Sequence, residues 1–141
     1  MKNIYLLSVL FSFVMFSGCS KDFLKKYDKR IIGTWRISDV DRIGIGGDSY
    51  GLPFRDGTFI FSEGGSLTYI TTANVTYQGT WDIDKKPTGD EYTHSFQITV
   101  VNFQTQHLLT QYYDDMNFAG TDHFKANINS GLHTYVTHFR R

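Results

Sequence analysis

The sequence predicts an all-β fold, an eight-stranded antiparallel up-and-down barrel. Three observations point there. Apolar and polar residues alternate with a period of two through most of the chain after residue 31, the mark of strands with one buried face. Turn-forming clusters such as Gly64-Gly65 and Asn129-Ser130-Gly131 interrupt these runs at short intervals, where hairpins need them. The chain also carries 12 Phe, 9 Tyr and 2 Trp, a loading that suits half-buried strands.

The first segment is an address. Met1-Lys2-Asn3 gives a cationic start, and the run from Ile4 to Phe16 is broken only by Ser8 and Ser12. It is too short to span a bilayer, which takes about 20 residues, so residues 1–18 are expected to be a signal peptide. Phe16-Ser17-Gly18-Cys19 resembles a bacterial lipobox, which implies that the Cys19 thiol receives a diacylglycerol before the signal is cut away. Cys19 is the only cysteine, so it has no partner for an internal disulfide and lipidation gives it a use. Two or more acyl chains would make the attachment stable. Residues 19–30 form a charged, lipid-anchored tether, and residues 31–141 a single domain. Within the tether Phe23, Leu24 and Tyr27 have helical spacing, so the segment is either one turn covering the barrel floor or a solvated linker.

The strands then follow. Gly33-Thr34-Trp35-Arg36-Ile37 opens the first, 33–40, with the glycine allowing a tight entry and the indole lying across the core as a plug. Residues 41–55 hold four glycines and Pro53 and are expected to be a long loop, a candidate lid over the barrel mouth. Strands are expected at 57–62 and 66–72, forming a hairpin, and at 75–83, where Gly79-Thr80-Trp81 echoes the opening triplet. A charged turn at 85–91 leads to strands at 95–101 and 107–113. One long strand at 116–128, bulged near Gly120, and a last strand at 132–141 complete the eight.

Gly33-x-Trp35, the strand pattern behind it and the terminal Phe139-Arg140-Arg141 together resemble the lipocalin pattern. The chain is similar to lipocalin-like lipoproteins of Gram-negative, Bacteroides-type bacteria. The resemblance implies a barrel closed by pairing of the last strand with the first. It also implies that Arg141, or failing that Arg140, stacks on Trp35 as a structural floor with Gly33. It places the protein on the outer membrane, held by lipid on Cys19 and facing the periplasm or the cell surface.

Chemistry is sparse. The formal net charge is +0, and without the signal it is near minus one, which gives no footprint for nucleic acid. The five histidines show no metal-ligand spacing, so no metal or other cofactor is expected. Asp39, Asp41 and Asp48 lack the offsets of a calcium loop. The acid pairs Asp82/Asp84, Asp90/Glu91 and Asp114/Asp115 fall in or beside expected turns, and no nucleophile motif occurs, so the protein is not expected to be an enzyme. A small barrel offers a cavity instead, and Phe59, Phe61, Tyr69, Tyr77 and Tyr112 are the candidates to line it. Two functions follow. An open barrel would bind or carry a small hydrophobic ligand at the envelope. A barrel filled by these same rings would be a structural or interaction lipoprotein contacting an envelope protein or glycan.

Overall fold

The computed structural model describes residues 26–46 and 51–141. The signal segment, Cys19, Phe23, Leu24 and Asp48 lie outside the described residues. A single helical turn, α1 (Tyr27–Arg30), precedes nine strands. These are β1 (Gly33–Gly44), β2 (Thr58–Phe61), β3 (Ser66–Ile70), β4 (Thr76–Thr88) and β5 (Glu91–Asn102), then β6 (His107–Tyr113), β7 (Asp115–Phe118), β8 (His123–Ser130) and β9 (His133–Arg140). They form one antiparallel sheet in the order β6-β5-β4-β3-β2-β1-β9-β8-β7.

The all-β, antiparallel expectation holds, and the last strand does lie beside the first, Arg36 opposite Arg140 and Gly44 opposite His133. Four details differ. The strand expected at 116–128 is a hairpin of β7 and β8, so there are nine strands and not eight. Gly120 has φ +87°, and Ala119 N–H donates to the His123 carbonyl at 2.8 Å, so the chain reverses there rather than bulging. The first strand runs on to Gly44, because β9 continues to pair with it beyond Val40, past a register shift between Ile37 and Asp39. Nor is 85–91 a long turn, since β4 reaches Thr88 and β5 starts at Glu91. Pro87 is tolerated there because β3 pairs with β4 only as far as Thr80, leaving a free edge. Asp82 and Asp84 accordingly point outward from a strand, not a turn.

The fourth difference concerns closure. The sheet is not closed into a barrel, because no ladder joins its edge strands β6 and β7. Yet Asp114 alone separates them in sequence, and consecutive Cα atoms are about 3.8 Å apart, so the two edges meet at this corner. Asp114 N–H donates to the Asn127 carbonyl at 2.8 Å, and the Asp115 carboxylate accepts from His94 N–H at 3.3 Å. The sheet therefore curls around a core to which every strand contributes. Phe96 of β5 lies 5.8 Å from Phe61 of β2, 6.1 Å from Phe124 of β8 and 6.5 Å from Phe139 of β9. Each such ring contributes about 1.5–3 kcal/mol by leaving water.

Candidate functional site

The residues singled out by the sequence form two groups, a floor at one end of the curled sheet and a stack of rings that begins level with it and runs across the core. At the floor, Gly33 brings the chain into β1 with φ +127°, a backbone conformation that favours glycine. Two residues on, Trp35 is fully buried, and its indole N–H donates to the Ile31 carbonyl at 2.6 Å. The Arg141 guanidinium lies 4.5 Å from the centre of the indole. One of its nitrogens also donates to the carbonyls of Arg30 at 2.9 Å and Ile32 at 2.7 Å. A Cβ at Gly33 would only touch that guanidinium, at 3.5 Å, so it is the backbone angle and not space that asks for glycine here. Gly33, Trp35 and Arg141 are thus brought together, and the arginine ties the end of the chain to the segment before β1.

The tether's last turn, α1, completes this floor. Tyr27 stacks on His94 with centroids 3.8 Å apart, packs edge-on against Phe118, and donates its hydroxyl to Asn117 at 2.9 Å. Burial, with Lys85 adding to it, holds the His94 imidazole below its ordinary pKa. Cations over aromatic faces recur here, with Arg30 lying 4.3 Å above Phe118.

Four of the five candidate lining residues pack on one another inside the sheet, from Phe61, opposite Gly33, and Phe59, opposite Trp35, to Tyr69 and Tyr77. Phe59 and Tyr69 are 4.6 Å apart, Phe59 and Phe61 stack at 6.0 Å, and Tyr69 and Tyr77 lie at 5.8 Å. Tyr112 does not join them. It sits on the outer face, 41% exposed, accepting a hydrogen bond from Lys86 at 2.8 Å, because Tyr113 is the β6 residue whose ring stacks inside on Phe96.

The residue that sequence reasoning missed is Phe54. It is 1% exposed although it belongs to the long loop, and it sits edge-on against both Tyr69 at 5.0 Å and Phe59 at 5.5 Å. The local backbone explains how it gets in. Gly57, at φ +91°, runs so close to the Tyr69 ring that a Cβ would come within 2.6 Å of it, which draws the base of the loop down onto the core. Tyr69 then donates its hydroxyl to the Asp56 carbonyl at 3.2 Å, and burial pushes its pKa up to about 12. Tyr77 is hydrogen-bonded to His107 Nδ1 at 3.0 Å. A phenylalanine beside a proline at the end of a glycine-rich loop was the available signal for this plug.

Chemically the two groups offer packing and hydrogen bonding. Among the described residues no group of three His, Cys, Asp or Glu side chains converges to hold a metal ion. No family model, curated protein or solved structure matches the chain.

Proposed function

We propose that this is a lipid-anchored envelope protein built on a small, lipocalin-like barrel whose interior is filled by its own rings, and that it acts through its outer surface on an envelope protein or glycan. Phe54 carries this reading. It fills the end of the core that a ligand would have to enter, against Phe59 and Tyr69. The one-residue passage between β6 and β7 supports treating them as a single bent strand, shared between β5 and β8, which would bring the strand count of the rolled sheet to eight.

The anchor gives the domain an orientation. The tether enters at the Trp35–Arg141 floor, so we take that end as the one nearer the bilayer and the Phe54 end as the one farther from it. Exposed apolar side chains gather at that far end. Ile43, Ile45 and Leu132 are 62%, 79% and 79% exposed, and Val75 and Phe103 project from neighbouring turns. Solvent-facing aliphatic groups in such number suit a contact surface.

A carrier function is the second reading, favoured by one feature: among the described residues Phe54 is the buried ring borne by the long loop, so it is a ring that could leave. The experiment is native mass spectrometry, with lipid extraction, of the full chain released from envelopes in detergent, together with uptake of apolar fluorescent probes. The filled-barrel reading expects no co-purifying molecule and no uptake, with uptake appearing in Phe54→Ala. A specific molecule bound to the unaltered protein and lost in Phe61→Trp would establish the carrier instead.

A further inference from the structure

On the outer face of the sheet, close to its floor end, three side chains from three strands form a chain of contacts. His138 of β9 places Nε2 3.0 Å from the Asp41 carboxylate of β1 and Nδ1 3.3 Å from His123 Nε2 of β8. Sheet register makes this possible. His138 stands opposite Lys125 and His123 opposite Arg140, so the two imidazoles are diagonal neighbours on one face. Their ring planes lie within 14° of each other.

The carboxylate decides the tautomer. Asp41 can only accept, so His138 holds its proton on Nε2 and presents the Nδ1 lone pair to His123. Two nitrogens bound at about 2.0–2.1 Å to one ion are separated by about 3.3 Å at a tetrahedral centre and about 2.9 Å at a tetragonal one, so the 3.3 Å found here fits the first as it stands and the second once the rings close by about 0.4 Å. A carboxylate on the remote N–H is also the usual support of a metal-binding histidine. We propose that His123 Nε2 and His138 Nδ1 form a two-histidine site for a divalent late transition metal, Cu²⁺ ahead of Zn²⁺, with Asp41 as the supporting carboxylate. The preference follows the general order of stability for nitrogen ligands.

Binding needs no net loss of a proton. His123 moves its proton from Nε2 to Nδ1 through solvent, both imidazoles stay neutral, and each nitrogen donates one lone pair to the ion. The protein supplies two ligands, and water or a group from another molecule fills the remaining positions. Arg140 and Lys125 oppose a cation while Asp41 and Asp122 favour it, so this is a site for an ion with strong nitrogen affinity and not for Ca²⁺ or Mg²⁺.

The test uses the full chain in detergent, stripped with chelator and titrated with Cu²⁺ alone, followed by calorimetry and electron paramagnetic resonance. One ion per chain with two coupled nitrogens is expected. His123→Ala and His138→Ala should each leave one nitrogen and weaken binding at least about tenfold, Asp41→Asn should weaken it about 10–100-fold with the nitrogen count unchanged, and His133→Ala should change nothing. Near-UV circular dichroism checks each variant's fold, and His138→Gln replaces any alanine variant that unfolds. A two-nitrogen spectrum that survives loss of His138, or no copper bound at one equivalent, overturns the proposal.

Discussion

The guanidinium of Arg141 lies 4.5 Å from the centre of the Trp35 indole while donating to two carbonyls of the segment before β1. A cation–π contact is worth about 0.5–2 kcal/mol and a hydrogen bond about 1 kcal/mol net. Arg141→Ala should therefore cost about 2.5–4 kcal/mol, read as a lower denaturation midpoint with an unchanged slope. Arg141→Lys keeps the charge but not the planar fork, so it should recover less than half of the loss. Equal stability of the alanine variant and the parent would show that the floor is held by packing alone.

Gly79 supports the second Gly-Thr-Trp triplet in a different way from Gly33. A Cβ at this position would come within 2.0 Å of the Thr99 carbonyl oxygen on β5, a backbone atom that cannot swing aside. Gly79→Ala should separate β4 from β5 and loosen Trp81, whose indole N–H donates to the carbonyls of Ser66 and Ser62. A loss above about 4 kcal/mol is expected, in the exceptional range for one substitution. Gly51→Ala, with nothing within 4 Å, is the control and should be neutral in the same urea titration.

Features that depend on local chain order were legible in the sequence, and those that depend on register were not. Gly33 and Trp35 could be placed because a strand start carries its own signal, and Arg141 because the resemblance to lipocalins implied its stacking on the indole. The β7–β8 hairpin was invisible to periodicity, since Phe118 and Phe124 share the parity of one unbroken strand and face each other across the turn. Tyr112 and Tyr113 are chemically identical neighbours. Only pairing with β5, which sets Tyr113 opposite Phe96 and Tyr112 opposite Gln97, decides which turns inward. His123, His138 and Asp41 meet across three strands, so no spacing along the chain could have joined them. Phe54 follows no period, because a loop has none.

Stability should fall on both sides of neutrality. Burial lowers the pKa of His94 and His123 in the folded protein, while unfolded histidine titrates near about 6.5. Below that value the unfolded chain binds more protons, so acid favours unfolding, and the loss grows until the folded pKa values are passed. On the alkaline side Tyr69 is raised to about 12, and burial raises Tyr113 as well. Their contribution is complete below about pH 10 and is lost as the pH climbs toward 12. Urea midpoints measured from pH 5 to 11 should trace this dome, and His94→Gln should flatten its acid limb. An acid limb unaffected by that change would assign the loss to other groups.

Thr137 is fully buried on β9, and its hydroxyl oxygen has no hydrogen-bond partner. The nearby Tyr113 hydroxyl interacts with it weakly, opposing the burial that raises the tyrosine pKa, but without the geometry of a hydrogen bond. A buried hydroxyl left unpaired costs about 1–3 kcal/mol relative to water, and valine has nearly the same shape with no polar atom to satisfy. Valine also suits a strand at least as well as threonine. Thr137→Val should accordingly stabilise the fold by about 0.5–1.5 kcal/mol, raising the thermal midpoint by several degrees for a domain of this size. Thr137→Ser keeps the hydroxyl and removes a methyl from the core, so it should lower the midpoint. If the valine variant melts below the parent, the hydroxyl has a partner in solution, and the Tyr113→Phe variant would then lose stability by a similar amount.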